Sequence, residues 1–293
     1  MKLMNNKQYA PIVIFAYNRP KELYNLLTSL EKNKELFNSK VIFFIDKYFS
    51  DKEKDSNNKV ISLINDWSVG KNVEINLNDK NLGLKKNILY GVNTIFKNYE
   101  NAIFLEDDLE VSEYFLNFMN NSLELYKNKN IVKHISGFNY PTFVKNSDSS
   151  YFTPYMNCWG WATWRNRWEE NENFSKNLIS DTGKITRLKF TVLGFEKDFE
   201  SQLIRNENKE ISTWAIFWFQ HIFLHKGLCL NPVNTLVINN GEYGEHGTNK
   251  LIYGSRLSNS QITNYPSKYK FKYRNLIKVA SFFRNKSKIK KFT

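Results

Sequence analysis

Ala102-Ile103-Phe104-Leu105-Glu106-Asp107-Asp108-Leu109-Glu110-Val111-Ser112-Glu113 is the stretch on which the reading of this chain turns. Its apolar start predicts a buried strand, and that strand stops on three adjacent carboxylates. Neighbouring anions repel one another, and folding gains nothing by crowding them at the end of a core strand. A shared cation is the natural compensation. Oxygen ligands at the carboxyl end of an α/β strand favour Mg²⁺ or Mn²⁺, commonly one that also holds a phosphate. The plainer alternative is a solvated acidic turn opening the next helix, with Ser112 as its N-cap.

Working outward, strand and helix patterns alternate. Ile12 to Ala16 is a short apolar run, and Lys21 to Leu30 carries Leu23, Leu26, Leu27 and Leu30 at helical spacing. Val41 to Ile45 predicts a second strand, Val60 to Trp67 a helix, Val73 to Leu77 a third strand, and Leu84 to Phe96 a helix that leads into the strand at Ala102. Beyond the acids, Glu113 to Tyr126 reads as an amphipathic helix and Ile131 to Ser136 as a strand. This order predicts an α/β fold with a mostly parallel sheet and short crossovers. Ligands of such sheets bind beyond the carboxyl ends of the strands. Those ends carry Tyr17-Asn18-Arg19, Asp46, Asn78-Asp79 and Glu106-Asp107-Asp108, a set of polar groups suited to a nucleotide.

The 293 residues suffice for one large α/β domain or two small ones. No run of about 18 apolar residues exists, so no transmembrane helix is expected. Met1 to Tyr9 lack an apolar core, so no secretory signal is expected either. Cys158 and Cys229 stand far apart without metal-ligand spacing, which fits a reducing cytosol. Of the net charge of +13, ten positive residues and no acid lie between Lys268 and the end, leaving about +3 for the remainder. The body is therefore not expected to bind nucleic acid, and the tail is a separate electrostatic device.

The block Cys158-Trp159-Gly160-Trp161-Ala162-Thr163-Trp164-Arg165-Asn166-Arg167-Trp168 holds four tryptophans. An indole offers a flat face that stacks on the apolar side of a sugar, and a Trp-rich core with a close backbone approach at the glycine is the competing reading. Trp214 to His225 predicts a buried helix closed by Gly227 at the C′ position. His221 and His225 share one face of it, and packing is preferred over metal binding for the pair.

Ile12 to Pro20, Asn81-Leu82-Gly83-Leu84, Phe104 to Val111 and the Cys158–Trp168 block together resemble bacterial GT-A glycosyltransferases of surface-polysaccharide synthesis, relatives of N-acetylglucosaminyltransferase I. The resemblance spans roughly residues 10–250. It implies a GT-A fold, a Rossmann-like sheet flanked by helices, within residues 1–255. About 10–110 would form the nucleotide-sugar half and 111–255 the acceptor half, with 256–293 a basic amphipathic tail. It implies Mn²⁺ or Mg²⁺ on Asp108, with Glu106 and Asp107 holding ribose and donor-sugar hydroxyls. Tyr17, Asn18, Arg19 and Asp46 match positions contacting base and ribose, although relatives often have Gly where this chain has Lys47. Asn81 and Gly83 match a segment beside the nucleotide, and Lys85 or Lys86 is placed to reach the phosphates.

Trp159, Gly160, Trp161 and Trp214 are the implied acceptor contacts. The loop Gly241 to Thr248 matches a glycine-rich loop bearing a histidine, which makes His246 a second metal ligand or a diphosphate contact. For the general base of an inverting transfer, relatives carry Asp beside the residue matching Trp214. This chain has none there, so Glu210 is the nearest candidate, with Glu196, Asp198 and Glu200 as more distant options.

The function expected is transfer of a sugar from a nucleotide-diphosphate donor, a UDP-sugar, to a glycan acceptor, in particular a lipid-linked one. The alternatives are a sugar nucleotidyltransferase, disfavoured by the absence of a Gly-rich basic loop after the first strand, and a non-catalytic carbohydrate-binding protein, which leaves the acid triplet unexplained. Tail residues Leu276 to Phe283 place apolar groups near helical spacing among the lysines and arginines. That pattern predicts a peripheral attachment to anionic lipid on the inner face of the cell membrane.

Overall fold

The computed structural model describes residues 9–139, 148–171, 174–184, 186–187, 190, 199–241 and 257–268. Strands β1 (Ile12–Ala16), β2 (Val41–Ile45), β3 (Val73–Leu77) and β4 (Asn101–Glu106) alternate with helices α1 (Pro20–Leu30), α2 (Asp51–Trp67) and α3 (Leu84–Phe96). After the acids come β5 (Leu109–Val111), α4 (Phe115–Tyr126), β6 (Val132–Ser136), β7 (Ser150–Thr153), β8 (Trp161–Trp164) and the short α5 (Arg165–Trp168). Then follow α6 (Phe199–Glu207), α7 (Ala215–Leu224), β9 (Leu228–Pro232) and β10 (Val237–Asn239).

Eight strands form one sheet in the order β3-β2-β1-β4-β8-β6-β9-β7, and β5 pairs with β10 in a separate antiparallel ribbon. The β3-β2-β1-β4 run is parallel throughout, as is β6 with β9, whereas β8 runs antiparallel to both β4 and β6. This is a mixed α/β fold with a large, mostly parallel sheet flanked by helices. The expected strands are present within a residue of their predicted bounds.

Both faces of the sheet are buried along β1, β2 and β4, as a parallel sheet covered by crossover helices requires, while the edge strand β3 is partly exposed. Ile12, Ile14, Val41, Phe43, Ile103 and Leu105 face one core with Leu23, Leu27, Val60 and Phe115. Their alternating neighbours Val13, Phe15, Ile42, Phe44, Ala102 and Phe104 face the other, with Ile88, Val92, Trp214 and Trp218. Gly91 of α3 lets that helix lie directly on the Phe15 ring, where a side chain would collide.

Two differences from the expected elements have local causes. Helix α2 starts nine residues before Val60 because the Glu53 carboxylate accepts the backbone N–H of Ser50 at 3.1 Å, a capping contact that the exposed, polar first half of the helix conceals. At the end of α7 the left-handed residue is Lys226 (φ 52°), not Gly227. Gly227 N–H bonds Ile222 O at 2.8 Å and Lys226 N–H bonds Phe223 O at 3.0 Å, so the glycine occupies C″ of a Schellman turn. Its lack of a side chain serves packing, since a Cβ there would lie 2.5 Å from Lys133 Cγ.

The tail expected from residue 256 starts later. Ile262 is buried, Tyr265 stacks on Phe118 at 6.1 Å, and the Tyr126 hydroxyl donates to Pro266 O at 2.9 Å. Residues 257–266 therefore belong to the folded body, and 269–293 lie outside the described residues. Among the described residues no helix is long and apolar enough to cross a membrane.

Candidate active site

The carboxyl ends of β1 to β4 meet at one edge, and their polar residues are bonded to one another across it. Asp107, 1% exposed, accepts the Tyr17 backbone N–H on Oδ2 at 3.1 Å. Its other oxygen and Asp108 Oδ2 are bridged by the Arg19 guanidinium, with Nη1 to Asp108 at 2.7 Å and Nη2 to Asp107. Arg19 is set at the mouth of α1 because Pro20 fixes the first helical residue behind it. The sequence asked for a shared cation, and the chain supplies one of its own.

Burial pushes the Glu106 carboxyl up to about 8, with the charge of Asp108 adding to it and Arg19 opposing. Asp107 is also pushed up by burial, to about 6, against the pull of Arg19. The Arg19 guanidinium is held above its usual range, since Asp107 and Asp108 outweigh its partial burial.

Asp108 is the acid with capacity to spare: its Oδ1 is buried and has no hydrogen-bond partner among the described residues. An orphaned carboxylate oxygen of that kind suits a hard divalent cation, so the site fits Mn²⁺ or Mg²⁺ through this residue. No group of three His, Cys, Asp or Glu side chains among the described residues forms a metal cage. His246, the expected second ligand, lies outside the described residues. The wall behind Asp108 is the end of β10: Asn240 N–H bonds Asp108 O at 2.8 Å, and a Cβ on Gly241 would sit 2.6 Å from Asp108 Oδ2.

Asp46 is placed differently from its expected role. It is buried and accepts four donors of its own chain: Lys47 N–H (3.1 Å), Asn78 Nδ2 (3.0 Å), Leu82 N–H (2.9 Å) and Gly83 N–H (2.8 Å). Its carboxylate thus anchors the Asn81-Leu82-Gly83 turn and sits at the positive end of α3. Gly83 has φ 75°, the left-handed geometry that favours glycine at this turn. Asn81 donates to Lys47 O at 2.6 Å, tying the turns after β2 and β3 together.

Residues that the sequence reading passed over complete the edge. Asn57 donates to Tyr17 O at 2.7 Å and to Asp46 O at 2.9 Å, joining the ends of β1 and β2. Glu53 accepts Asn18 Nδ2 at 3.3 Å, and its hydrogen bond with Tyr17 lowers its pKa. The Tyr17 hydroxyl accepts the Phe49 N–H at 2.9 Å. Glu53 could have been found from the Ser50-Asp51-Lys52-Glu53 capping pattern; Asn57 carries no such signal.

On α3, Lys86 is exposed, while the Lys85 ammonium lies 4.1 Å from the centre of the Phe217 ring and burial lowers its pKa. Trp161 and Trp214 are 2% and 3% exposed, in place of the open faces a sugar would need. Trp161 stacks on Phe104 at 4.4 Å and on Trp214 at 5.1 Å, so the packing reading describes both. Trp164 and Trp168 are buried as well, and Trp159 is the half-exposed indole of the block, beside Gly160 (φ 60°). Glu210 is exposed and tied locally, to Arg205 at 3.4 Å and Asn208 at 3.1 Å. No hydrogen bond or ion pair among the described residues links it to the acid triplet. Glu196 and Asp198 lie outside the described residues, and Glu200 pairs with Arg187.

No protein-family model matches this chain, and no curated protein matches it. Among solved structures it is similar to GalNAc-T7 with UDP, GalNAc and Mn²⁺, at 12% identity and TM-score 0.48 over 78% of this chain and 43% of that one. It is also similar to S. aureus TarS 1–349, at 12% identity and TM-score 0.39 over 68% of this chain and 70% of that one. The chain thus spans less than half the length of the first of these structures. Likeness at this level leaves the chemistry to be argued from the chain's own residues.

Proposed function

We propose that this protein is a metal-assisted GT-A glycosyltransferase that moves a sugar from a UDP-sugar to a glycan acceptor. The observation that carries the reading is the buried Asp108 Oδ1, without a partner among the described residues, just past the end of β4 on an edge lined by the loops of β1, β2 and β3. A divalent metal bound there supplies charge neutralisation for a departing diphosphate. Tyr17 and Asn18 line the base and ribose side. Glu106 and Asp107 hold ribose and donor-sugar hydroxyls. Lys85 and Lys86 in the first turn of α3 offer positive charge to the diphosphate.

Trp159 is the acceptor contact this reading retains; Gly160 is buried beside it, against Val237, Phe115 and Leu105. The transfer is taken as inverting, of a hexosyl or N-acetylhexosaminyl group, with Glu210 as the base. A lipid-linked acceptor of surface-polysaccharide synthesis at the inner face of the cell membrane suits the basic tail. Calorimetric titration of UDP with and without Mn²⁺ tests the core of the reading. Asp108→Ala is expected to abolish metal-dependent UDP binding and transfer while the thermal melt keeps its shape. Near wild-type turnover of this variant in saturating Mn²⁺ would sink the assignment.

A further inference from the structure

We infer that Arg19 is a resident counter-cation which a divalent metal must displace from Asp108, so that metal loading and release of the guanidinium are one event. This rests on the donor-site reading above and adds to it a control over when that site charges.

Three features of the site point the same way. The guanidinium spans two carboxylates, Nη2 on Asp107 and Nη1 on Asp108 Oδ2 at 2.7 Å, and those are its two side-chain hydrogen bonds among the described residues. A cation already sits, then, where the acids need one, and a dication arriving at Asp108 meets a fixed positive charge a few ångströms away. The oxygen that Asp108 can offer a metal is Oδ1, and Arg19 Nη1 already sits on Oδ2 of the same carboxylate, so the two cations would have to share a single charge.

The third feature is freedom on the other side. The Arg19 side chain is 37% exposed and stands at the N-terminal edge of α1, so it can swing outward without repacking the core. Once released, its donors face the same strand edge at which the proposed diphosphate binds, and a phosphate accepts the guanidinium fork as a carboxylate does. Asp107 keeps the Tyr17 N–H after the exchange, so one acid retains a partner in either state.

The test is binding of Mn²⁺ alone, by calorimetry and by the electron paramagnetic resonance of free Mn²⁺, to the full chain without nucleotide. Arg19→Gln is expected to bind Mn²⁺ about tenfold or more tightly than the wild type, because a facing positive charge is gone. Asp108→Asn is expected to remove that binding in both backgrounds. Should Arg19→Gln fail to fold, Arg19→Lys serves: a single ammonium cannot span both carboxylates, and a smaller tightening is expected. Equal or weaker Mn²⁺ binding by the Arg19 variant, with wild-type binding still dependent on Asp108, overturns the displacement and leaves the donor-site reading intact. If neither protein binds Mn²⁺ through Asp108, both fall together.

Discussion

Asp46 shows how a residue can lie at the expected place and act through another group. Its two oxygens are taken by Lys47, Asn78, Leu82 and Gly83, which leaves the carboxylate holding the turn before α3 rather than reaching outward. Asp46→Ala strands the Leu82 and Gly83 N–H groups, and hydrogen bonds to a charged acceptor are worth about 1.5–3 kcal/mol each. A loss of roughly 2–4 kcal/mol in urea unfolding is expected, with UDP affinity falling along with it because the Asn81–Gly83 turn loosens. A variant that weakens UDP binding with unchanged stability would return Asp46 to direct contact. Glu210 makes the contrasting case. Exposed and, among the described residues, paired with its neighbours Arg205 and Asn208, it costs little stability when changed, so Glu210→Gln isolates chemistry: turnover should drop by about 10²–10⁴-fold with donor affinity kept if it is the base. An unaffected rate moves attention to Glu196, Asp198 and Glu200, or to a mechanism with no protein carboxylate base.

At the scale of elements, β6 and α7 are joined through a histidine that never meets water. His134 accepts the Trp218 indole N–H on Nδ1 at 3.2 Å, and its Nε2 lies 3.0 Å from Asn157 O, which fixes a neutral ring. Burial holds its pKa down to about 3, and burial likewise holds His221 on α7 down to about 4. Since an unfolded histidine takes up its proton near pH 6.5, the unfolded chain binds more protons below that point, and stability falls as pH drops from 6.5 toward these values. That fall is the histidines' share, and the raised carboxyls of Glu106 and Asp107 pull the other way over the same range, so it is read by difference: in urea melts between pH 7 and 4.5 His134→Gln should lose less stability toward acid than the wild type, and identical pH profiles would contradict the buried neutral ring. Neither the Trp218 link nor the Asn157 link was legible beforehand, because partners 84 and 23 residues away leave no local pattern. The parallel strands were legible, because each is a short apolar run ended by a polar group. Strand β8 was not. Its tryptophans suggested sugar platforms, while Trp161 and Trp164 turn to opposite faces of the sheet and into separate cores. The acids of β4 could be read as needing a cation; that Arg19, 88 and 89 residues away, provides one could not.

For the molecule as a whole, the question is where the folded body stops and its basic end begins. The boundary at 256 that the resemblance implies falls too early, while the charge run starting at Lys268 begins just past the last of the body's contacts. Ser112 Oγ donates to Ser258 O at 2.6 Å, Ser150 N–H bonds Asn264 O at 2.9 Å, and Ile262 is 2% exposed in the core beside α4. Truncation after Leu257 therefore removes a buried isoleucine and a stacked tyrosine, and should cost roughly 2–5 kcal/mol by the measure of large core deletions. Truncation after Lys268 leaves those contacts in place while removing nine of the ten positive charges beyond residue 267. The shorter cut should lower the melting temperature; the longer chain should melt as the full protein does. If the basic end holds anionic lipid, each charge contributes about 1 kcal/mol near the surface. The chain ending at Lys268 should then lose sedimentation with anionic liposomes while keeping its rate on a soluble acceptor fragment. Full-length protein that stays in the supernatant at low salt would refute the attachment. A rate that falls with the tail on a soluble acceptor would place those lysines in the reaction rather than at the membrane.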